Sequence, residues 1–206
     1  TTHVLNPCVE LDAFTYQFDS QSTDVLSLGR LSERKNVQTL LTAWQAIERR
    51  YPNHSLTIAG TGPQAENLKE TAHALGLERV SFRGFVSPAE RRRLYRDALV
   101  FVLPSLLEGY VTTGLEALAS GTPVVGADVP GIHDYIVDGE TGLLFESDDA
   151  SALATTLDAA LSDPAGLEPL AERGRALATV HSYERFKHEA DALFSTLAAK
   201  TPSRSQ

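Results

Sequence analysis

The sequence predicts an α/β protein, a Rossmann-like three-layer sandwich whose parallel sheet of about six strands has helices on both faces. Apolar runs typical of buried strands alternate with amphipathic helical patterns about every 20 to 25 residues from Asp24 onward. Parallel strands need crossover connections, which the intervening helices supply. The chain has 206 residues, of which 42% are hydrophobic and 22% charged, so it can bury one substantial core.

Each apolar run is short and is followed by glycine or other turn residues, as in buried strands. The predicted strands span 25–28, 55–59, 80–82, 99–103, 123–126 and, more weakly, 142–145. Predicted helices span 37 to about 50, 63 to about 75, 88–97 and about 113–120, and a helical tail from 151 is broken near 164–166 and at 182. Residues 1–22 are predicted to be an interdomain linker, 23–199 the folded domain and 200–206 a disordered tail.

Capping residues predict where several helices begin. The run Ser87-Pro88-Ala89-Glu90 has a capping serine, a proline at the first position and a glutamate three residues after the cap. Asn36 is expected to cap the first helix, and Pro63 is expected at the first position of the second. Thr112 or Thr113 is expected to cap the fourth.

Composition excludes several classes of protein. The net charge of −9, from 18 basic and 27 acidic residues, argues against a general nucleic-acid binder. The single cysteine, Cys8, excludes an internal disulfide framework and predicts a reducing, cytoplasmic location. No apolar run is long enough to span a bilayer, and no signal peptide opens the chain. Because methionine is absent, we expect a segment of a longer protein.

The stretch from Leu106 to Val125 places two carboxylates around a predicted helix start. Glu108 lies in a glycine-containing loop, and Glu116 follows eight residues later inside the helix. A helix N-terminus beside such a loop is a polar corner suited to anions. Two simpler interpretations stay open: Thr113 and Glu116 could form a capping box, and Glu108 could be a solvated loop residue.

Two further loops follow predicted strands and contain residues suited to phosphate. Arg30 and Lys35 precede a helix; arginine binds phosphate oxygens as a fork, and lysine adds a movable point charge. The turn containing Gly62 is glycine-rich but lacks the spacing of the dinucleotide fingerprint and of the P-loop. The first loop could instead be merely solvated, and the second a generic turn. The six histidines are scattered and form no metal-like spacing.

Five sequence pieces, in one order, resemble a known family. They are GRLSERK, IAGTGP, FRGFVS, the two glutamates with seven residues between them, and GIHDYIVDGETGLLF. From Asn6 to about Leu144 the chain resembles the C-terminal, donor-binding half of a retaining GT-B glycosyltransferase, in the family of bacterial mannosyltransferases and sucrose synthases. The piece NPCVELDAF resembles the linker into that half.

The resemblance implies a role for each candidate residue. Arg30 and Lys35 would hold the diphosphate of a nucleoside diphosphate sugar such as a UDP-sugar or GDP-sugar, so that no metal or other cofactor is required. Glu108 would contact the sugar hydroxyls, and Glu116 the ribose hydroxyls. The catalytic candidates are therefore Arg30, Lys35 and Glu108, and the donor-binding candidates are Gly62, Val86, Gly109, Tyr110, Val111, Thr112, Thr113 and Glu116.

The chain departs from the family pattern near the first glutamate. Val111 stands where the family usually has glycine, and Thr112 and Gly114 also differ. A β-branched residue does not readily adopt a positive φ, and the Val111 side chain is expected to intrude where the donor sugar sits. Asp134 stands where the family tends to have glutamate.

The expected function is donor binding within a metal-independent retaining hexosyltransferase. By the resemblance, an N-terminal domain of the same protein would bind the unidentified acceptor and could contact a membrane peripherally, so the isolated domain is expected to be inactive. One alternative is a non-catalytic module that binds nucleotide sugar but has lost transfer. A nucleotide-sugar epimerase fits less well, because the basic pair and both glutamates match the transferases. A dehydrogenase domain lacks its fingerprint here.

Overall fold

The computed structural model describes residues 8–109 and 111–200, with side chains described as far as 197. The strands are β1 (Asp24–Leu28), β2 (Ser55–Ala59), β3 (Val80–Gly84), β4 (Ala98–Leu103), β5 (Val124–Ala127) and β6 (Leu143–Phe145). They form one sheet in the order β3-β2-β1-β4-β5-β6, and all neighbouring pairs are parallel. The predicted six-stranded parallel sheet is confirmed.

Helices occupy the crossovers and the C-terminal part of the described chain. They are α1 (Val37–Ile47), α2 (Ala65–Ala74), α3 (Pro88–Asp97), α4 (Thr112–Ser120), α5 (Ala150–Ser162), α6 (Glu168–Val180) and α7 (Tyr183–Lys200). Helix α1 packs against α2 and α5, whereas α4 packs against α3 and α6. These two groups correspond to two faces of the sheet, so the predicted three-layer arrangement is confirmed.

The strand order contains one reversal of direction. The chain moves from β1 outward to β3 and then returns to the other side of β1 as β4. At such a reversal the loops after the two central strands diverge and leave a crevice, which is where ligands bind in open α/β sheets. The topology therefore directs attention to the loops that follow Leu28 and Leu103.

Strand β4 lies at the centre of the core. All of its residues are buried, as expected for a parallel strand covered on both faces. Trp44 of α1 and Leu118 of α4 are fully buried, on elements from the two helix groups. The ring of Tyr95 on α3 packs edge-on against Phe101 of β4, with 5.2 Å between ring centroids. Aromatic packing thus anchors α3 to the central strand.

Part of the segment predicted as a linker packs onto the domain. Val9 and Phe14 are only 3% and 5% exposed. The Val9 N–H donates to the His181 carbonyl oxygen at 2.9 Å, and the Tyr183 N–H donates to the Val9 carbonyl oxygen at 2.9 Å. These contacts tie the beginning of the described chain to the junction between α6 and α7. The rest of the predicted linker, 1–7, and the predicted tail beyond Lys200 lie outside the described residues.

Of the predicted starts of α1, α2 and α3, only that of α2 is wrong. Helix α1 begins at Val37, directly after Asn36, as predicted. The Asn36 side chain does not cap it, however, because its Oδ1 accepts from the Thr39 hydroxyl instead of a backbone N–H. Pro63 lies in the turn before α2 and not at its first position. Ser87 Oγ does accept from the Glu90 N–H, at 3.2 Å, and Pro88 opens α3. The proline at 63 therefore shapes a turn, whereas the one at 88 begins a helix.

The helical tail is broken where the sequence predicts. A 3-10 turn (Pro164–Leu167) separates α5 from α6, and the residues around Ser182 separate α6 from α7. Other boundaries shift by a few residues. Helix α1 ends at Ile47, before the expected end near residue 50, and β4 begins at Ala98.

The central position of Phe101 gives a stability prediction. Its side chain is fully buried, so replacing it by alanine removes apolar contacts and leaves a cavity. We expect Phe101→Ala to lower the free energy of unfolding by about 3–5 kcal/mol, measured by guanidinium denaturation. Phe194→Ala is the matched control; its side chain is 63% exposed, so a change within about 0.5 kcal/mol is expected. Equal losses in the two variants would contradict the assigned core.

Candidate functional site

An ion pair joins the loops after β1 and β4 at the crevice. Lys35 Nζ lies 2.6 Å from Glu108 Oε1, and the two side chains are 18% and 5% exposed. A backbone bond supports them, because the Leu106 N–H donates to the Arg34 carbonyl oxygen at 2.9 Å. A 3-10 turn (Glu33–Lys35) carries the lysine into this position. Two of the predicted catalytic residues therefore meet directly at the reversal of strand order.

A cavity of about 420 Å³ opens beside this pair, at the carboxyl ends of β1, β2 and β3. Its walls combine an apolar part, which includes Val86 and the 80% exposed Phe85, with two guanidinium groups. The lining residues are Leu28, Gly29, Arg30, Gly60, Thr61, Gly62, Phe85, Val86 and Arg91. Such a surface suits a ligand with a flat apolar end and an anionic end.

Gly62 allows two of these loops to approach each other. A Cβ at this position would lie 2.1 Å from the Leu31 carbonyl oxygen, far inside contact distance. The loops also exchange a backbone bond, from the Leu31 N–H to the Thr61 carbonyl oxygen at 2.9 Å. Gly62 thus helps form the cavity by close backbone packing, and the glycine-rich turn is more than a generic connection.

Glu116 is held by two residues of α3. Arg91 Nη2 lies 3.2 Å from Glu116 Oε1, and the Tyr95 hydroxyl donates to Oε2 at 3.1 Å. Burial raises the pKa of the Glu116 carboxyl above its ordinary value of 4.5, while Arg91 and the Tyr95 hydrogen bond act in the opposite direction. Arg91 itself lines the cavity, so Glu116 is one contact away from it. The alternative interpretation of Thr113 and Glu116 as a capping box does not hold, because this carboxylate contacts α3.

The start of α4 also differs from the sequence expectation. Thr112 and Thr113 are the first residues of the helix, and Val111 occupies the capping position without a side-chain hydrogen bond. Thr112 is exposed, whereas Thr113 Oγ1 is buried without a hydrogen-bond partner in the described structure. Gly109 is exposed beside this end, and the candidate Tyr110 lies outside the described residues. Val111 therefore gives the helix N-terminus no side-chain cap.

Val111 adopts an ordinary extended backbone conformation. Its φ is −101°, which a β-branched residue adopts easily, so no backbone strain arises. Its side chain is only 3% exposed and belongs to the hydrophobic core. The expected intrusion toward a donor sugar is therefore wrong for this structure. The Val111 carbonyl oxygen accepts from the Tyr135 hydroxyl at 3.5 Å.

The loop after β5 supports the Glu108 segment. A Cβ on Gly131 would lie 2.6 Å from the carbonyl oxygens of both Glu108 and Gly109. Gly131 has a φ of +83°, and its N–H donates to Asp134 Oδ2 at 3.1 Å. Asp134, a departure from the family pattern, thus stabilises the turn on which the Glu108 loop rests.

Several residues of the cavity lining follow from the sequence, but Arg91 does not. Arg30, Gly62 and Val86 line the cavity as candidates, and Phe85 lies beside Val86 in the FRGFVS piece. The structure adds that the Phe85 side chain is exposed there. Arg91 belongs to a run of three arginines that is typical of a solvated helix surface, and only the packing of α3 against α4 separates it from its neighbours.

The described residues contain neither a metal-binding cluster of acidic, His or Cys side chains nor a membrane-spanning helix. Within 8–109 and 111–200, no three His, Cys, Asp or Glu side chains are grouped so that they could hold a metal ion. None of the helices described is long and apolar enough to cross a membrane.

Comparison with known families identifies the class of this protein. Residues 9–177 match the sequence profile of the family described as glycosyl transferases group 1. The chain belongs to that family. Because the match covers the sheet, the cavity and the Lys35–Glu108 crevice, the site described above lies within the shared domain.

Individual relatives cover the chain but extend beyond it. The D-inositol 3-phosphate glycosyltransferase of Rhodococcus opacus is 32% identical over 195 residues, which span 91% of this chain and 43% of that protein. Sucrose-phosphate synthase from Thermosynechococcus elongatus has a similar structure, with a TM-score of 0.88, 28% identity and coverage of 97% of this chain and 53% of its own. The chain spans less than half the length of the curated relatives it matches.

A third relative was solved with a nucleotide. The Anabaena protein HepE, in complex with UDP, has a TM-score of 0.83 at 19% identity, and the likeness covers 92% of this chain and 56% of that one. At this identity the comparison establishes the shared fold.

Burial of Glu116 predicts a pH dependence of stability. Since its native pKa is raised, its contribution to stability is fully present below pH 4.5 and is lost as the pH rises through the native pKa. We compare the free energy of unfolding of the wild type with that of Glu116→Gln. The wild-type value minus the variant value should fall as the pH rises from 4.5 through the native pKa, and should then level off. Urea denaturation of both proteins at a series of pH values measures this difference. A difference that rises with pH, or does not change, would contradict the assigned burial.

Proposed function

We propose that this chain binds the nucleoside diphosphate part of an activated sugar and is the donor-binding domain of a retaining, metal-independent hexosyltransferase. The observation that carries the proposal is the presence of two cation–carboxylate pairs, Lys35–Glu108 and Arg91–Glu116, at the carboxyl edge of the sheet. Arg91 lines the cavity there, and the Lys35 side chain lies beside Gly29 of the same lining. Membership of the glycosyl transferases group 1 family supports transferase chemistry for the whole protein.

The base of the donor fits the apolar end of the cavity. Phe85 is 80% exposed there, and an aromatic ring offers a stacking surface that every nucleobase can use. Val86 adds apolar area beside it, and backbone groups of this segment can pair with base edges. The UDP complex of HepE, a protein with the same fold, supports a nucleotide as ligand. Uridine, guanosine and adenosine are all candidate bases.

The diphosphate fits the cationic end. Arg30 is exposed and lines the cavity, and Lys35 stands at the crevice beside it. The N-terminus of α4, which the Val111 side chain does not cap, adds a partial positive charge close to Glu108, where backbone N–H groups suit phosphate oxygens. These groups would stabilise the charge that develops on the leaving diphosphate as the glycosidic bond breaks. No step of this proposal requires a metal ion.

The two glutamates would bind hydroxyl groups of the donor. An ionised carboxylate only accepts hydrogen bonds, which suits the ribose diol at Glu116 and the sugar hydroxyls at Glu108. Lys35 keeps the nearly buried Glu108 paired until a donor arrives, because an unpaired buried carboxylate is costly. On binding, the lysine would share its charge between this carboxylate and the diphosphate.

The rest of the reaction belongs to the parent protein. The matched residues span less than half of the curated relatives, which suggests a further domain that would bind the acceptor and close the cleft. A mannosyl donor, a cytoplasmic location and peripheral membrane contact through that domain are parts of this proposal that rest on the resemblance alone. The non-catalytic alternative gains no support from Val111, since its side chain is buried in the core.

Nucleotide affinity tests the proposed site. We expect Arg30→Ala and Glu116→Ala each to weaken the binding of UDP, GDP or ADP, whichever binds most tightly, by about 10-fold, because each loses a charged hydrogen bond. Arg34→Ala is the matched control; it removes an exposed arginine of the same loop that does not line the cavity. Calorimetric titration of the purified variants measures the affinities.

Unchanged affinity in both site variants would overturn the site assignment. If the chain binds nucleotide as expected but the full-length protein neither transfers nor hydrolyses the sugar of the matching donor, the non-catalytic module would be the correct interpretation.

A further inference from the structure

Arg91 differs from the other arginines of its helix in what it contacts. It lines the cavity, its side chain is 35% exposed, and its Nη2 lies 3.2 Å from Glu116 Oε1. The neighbouring Arg92 does not line the cavity, and Arg96 pairs with the exposed Asp97. A cation at the cavity wall, in contact with a carboxylate that is only 12% exposed, has a function beyond solubility.

We propose that Arg91 is a positioning residue for ribose recognition: its guanidinium fixes the Glu116 carboxylate in the orientation, and in the ionised form, that accepts hydrogen bonds from the ribose hydroxyls. This inference rests on the proposed function and adds a residue to it. Arg91 acts here through Glu116 and not by contact with the reacting atoms.

The geometry of the carboxylate supports this role. Arg91 engages Oε1 and the Tyr95 hydroxyl engages Oε2, so each oxygen has one fixed donor. An ionised carboxylate has about four acceptor positions, which leaves about two for a vicinal diol. Two donors from one helix also restrict rotation of the carboxylate, so its remaining lone pairs keep a constant direction.

The charge balance makes Arg91 necessary. Glu116 loses solvation in its half-buried position, and the Tyr95 hydroxyl is itself fully buried. Arg91 and Tyr95 are the groups of α3 that the structure pairs with Glu116, and of these two only Arg91 carries a positive charge. Without it, the carboxyl would take up a proton at a higher pH and would then present a donor to the ribose hydroxyls.

The experiment compares each nucleoside diphosphate with its 2′-deoxy analogue. The affinity ratio of UDP to dUDP, of GDP to dGDP or of ADP to dADP, for the base that binds, reports the contact to the ribose. Because both members of a pair carry the same diphosphate, its own titration cancels in the ratio. We expect a ratio of about 10 or more in the wild type at pH 7.5, since a hydrogen bond to a carboxylate is lost.

We expect Arg91→Met to reduce this affinity ratio at least threefold at pH 7.5. The ratio should also fall on acidification, and in Arg91→Met this fall should occur at a higher pH than in the wild type. Arg91→Lys should restore part of the ratio, since it restores the charge without the fork. Arg92→Met removes the same charge from the adjacent position of α3 and should leave the ratio and its pH profile unchanged. Circular dichroism of each variant verifies that it is folded.

The outcomes separate the two proposals. Absence of nucleotide binding in the wild type would overturn the proposed function itself. Nucleotide binding with a ribose preference that depends on Glu116, but is the same in Arg91→Met as in the wild type at every pH, would overturn the role of Arg91 and leave the donor site intact. An equal change in Arg92→Met would also overturn it, because the effect would then be a general one of charge.

Discussion

The crevice between β1 and β4 depends on the ion pair between Lys35 and Glu108. Glu108 is nearly buried, and a carboxylate in that position is stable only when it is paired. The pair joins two loops that are 73 residues apart in sequence, and the reversal of strand order brings those loops together. The close packing of Gly131 against the Glu108 backbone keeps the loop in place from the other side. A fold without this reversal would leave the lysine and the glutamate on separate surfaces.

The second pair, Arg91–Glu116, extends the same arrangement along the edge of the sheet. In both pairs a partly buried carboxylate meets a cation that belongs to a different element, so the site contains charge without a large net charge of its own. This arrangement lets a chain with a net charge of −9 present a local surface that suits an anionic ligand. Phe85 and Val86 add an apolar surface, so the site combines apolar and cationic lining residues.

The sequence predicts those parts of the structure that arise locally. The six strands follow from their apolar runs, and the start of α3 follows from Ser87 and Pro88, because each signal is complete within a few residues. The side-chain caps of α1 and α4 were predicted wrongly: Asn36 occupies the capping position of α1 but accepts from the Thr39 hydroxyl, and Val111 takes the capping position of α4 in place of a threonine. Arg91 was missed because its role depends on packing between α3 and α4, which no local pattern encodes. The individual roles of Arg30, Lys35 and both glutamates came from family resemblance, and the structure adds which of them touch.

The central claim is that this cavity binds a nucleoside diphosphate through the protein's own cations. Calorimetric titration of the chain with UDP, GDP and ADP, each in EDTA and again with magnesium, tests it most directly. The account predicts that one of the three nucleotides binds in EDTA, with an affinity that magnesium does not improve, since Arg30 and Lys35 supply the positive charge. Binding that occurs only with magnesium, or no binding of any of the three, would contradict it.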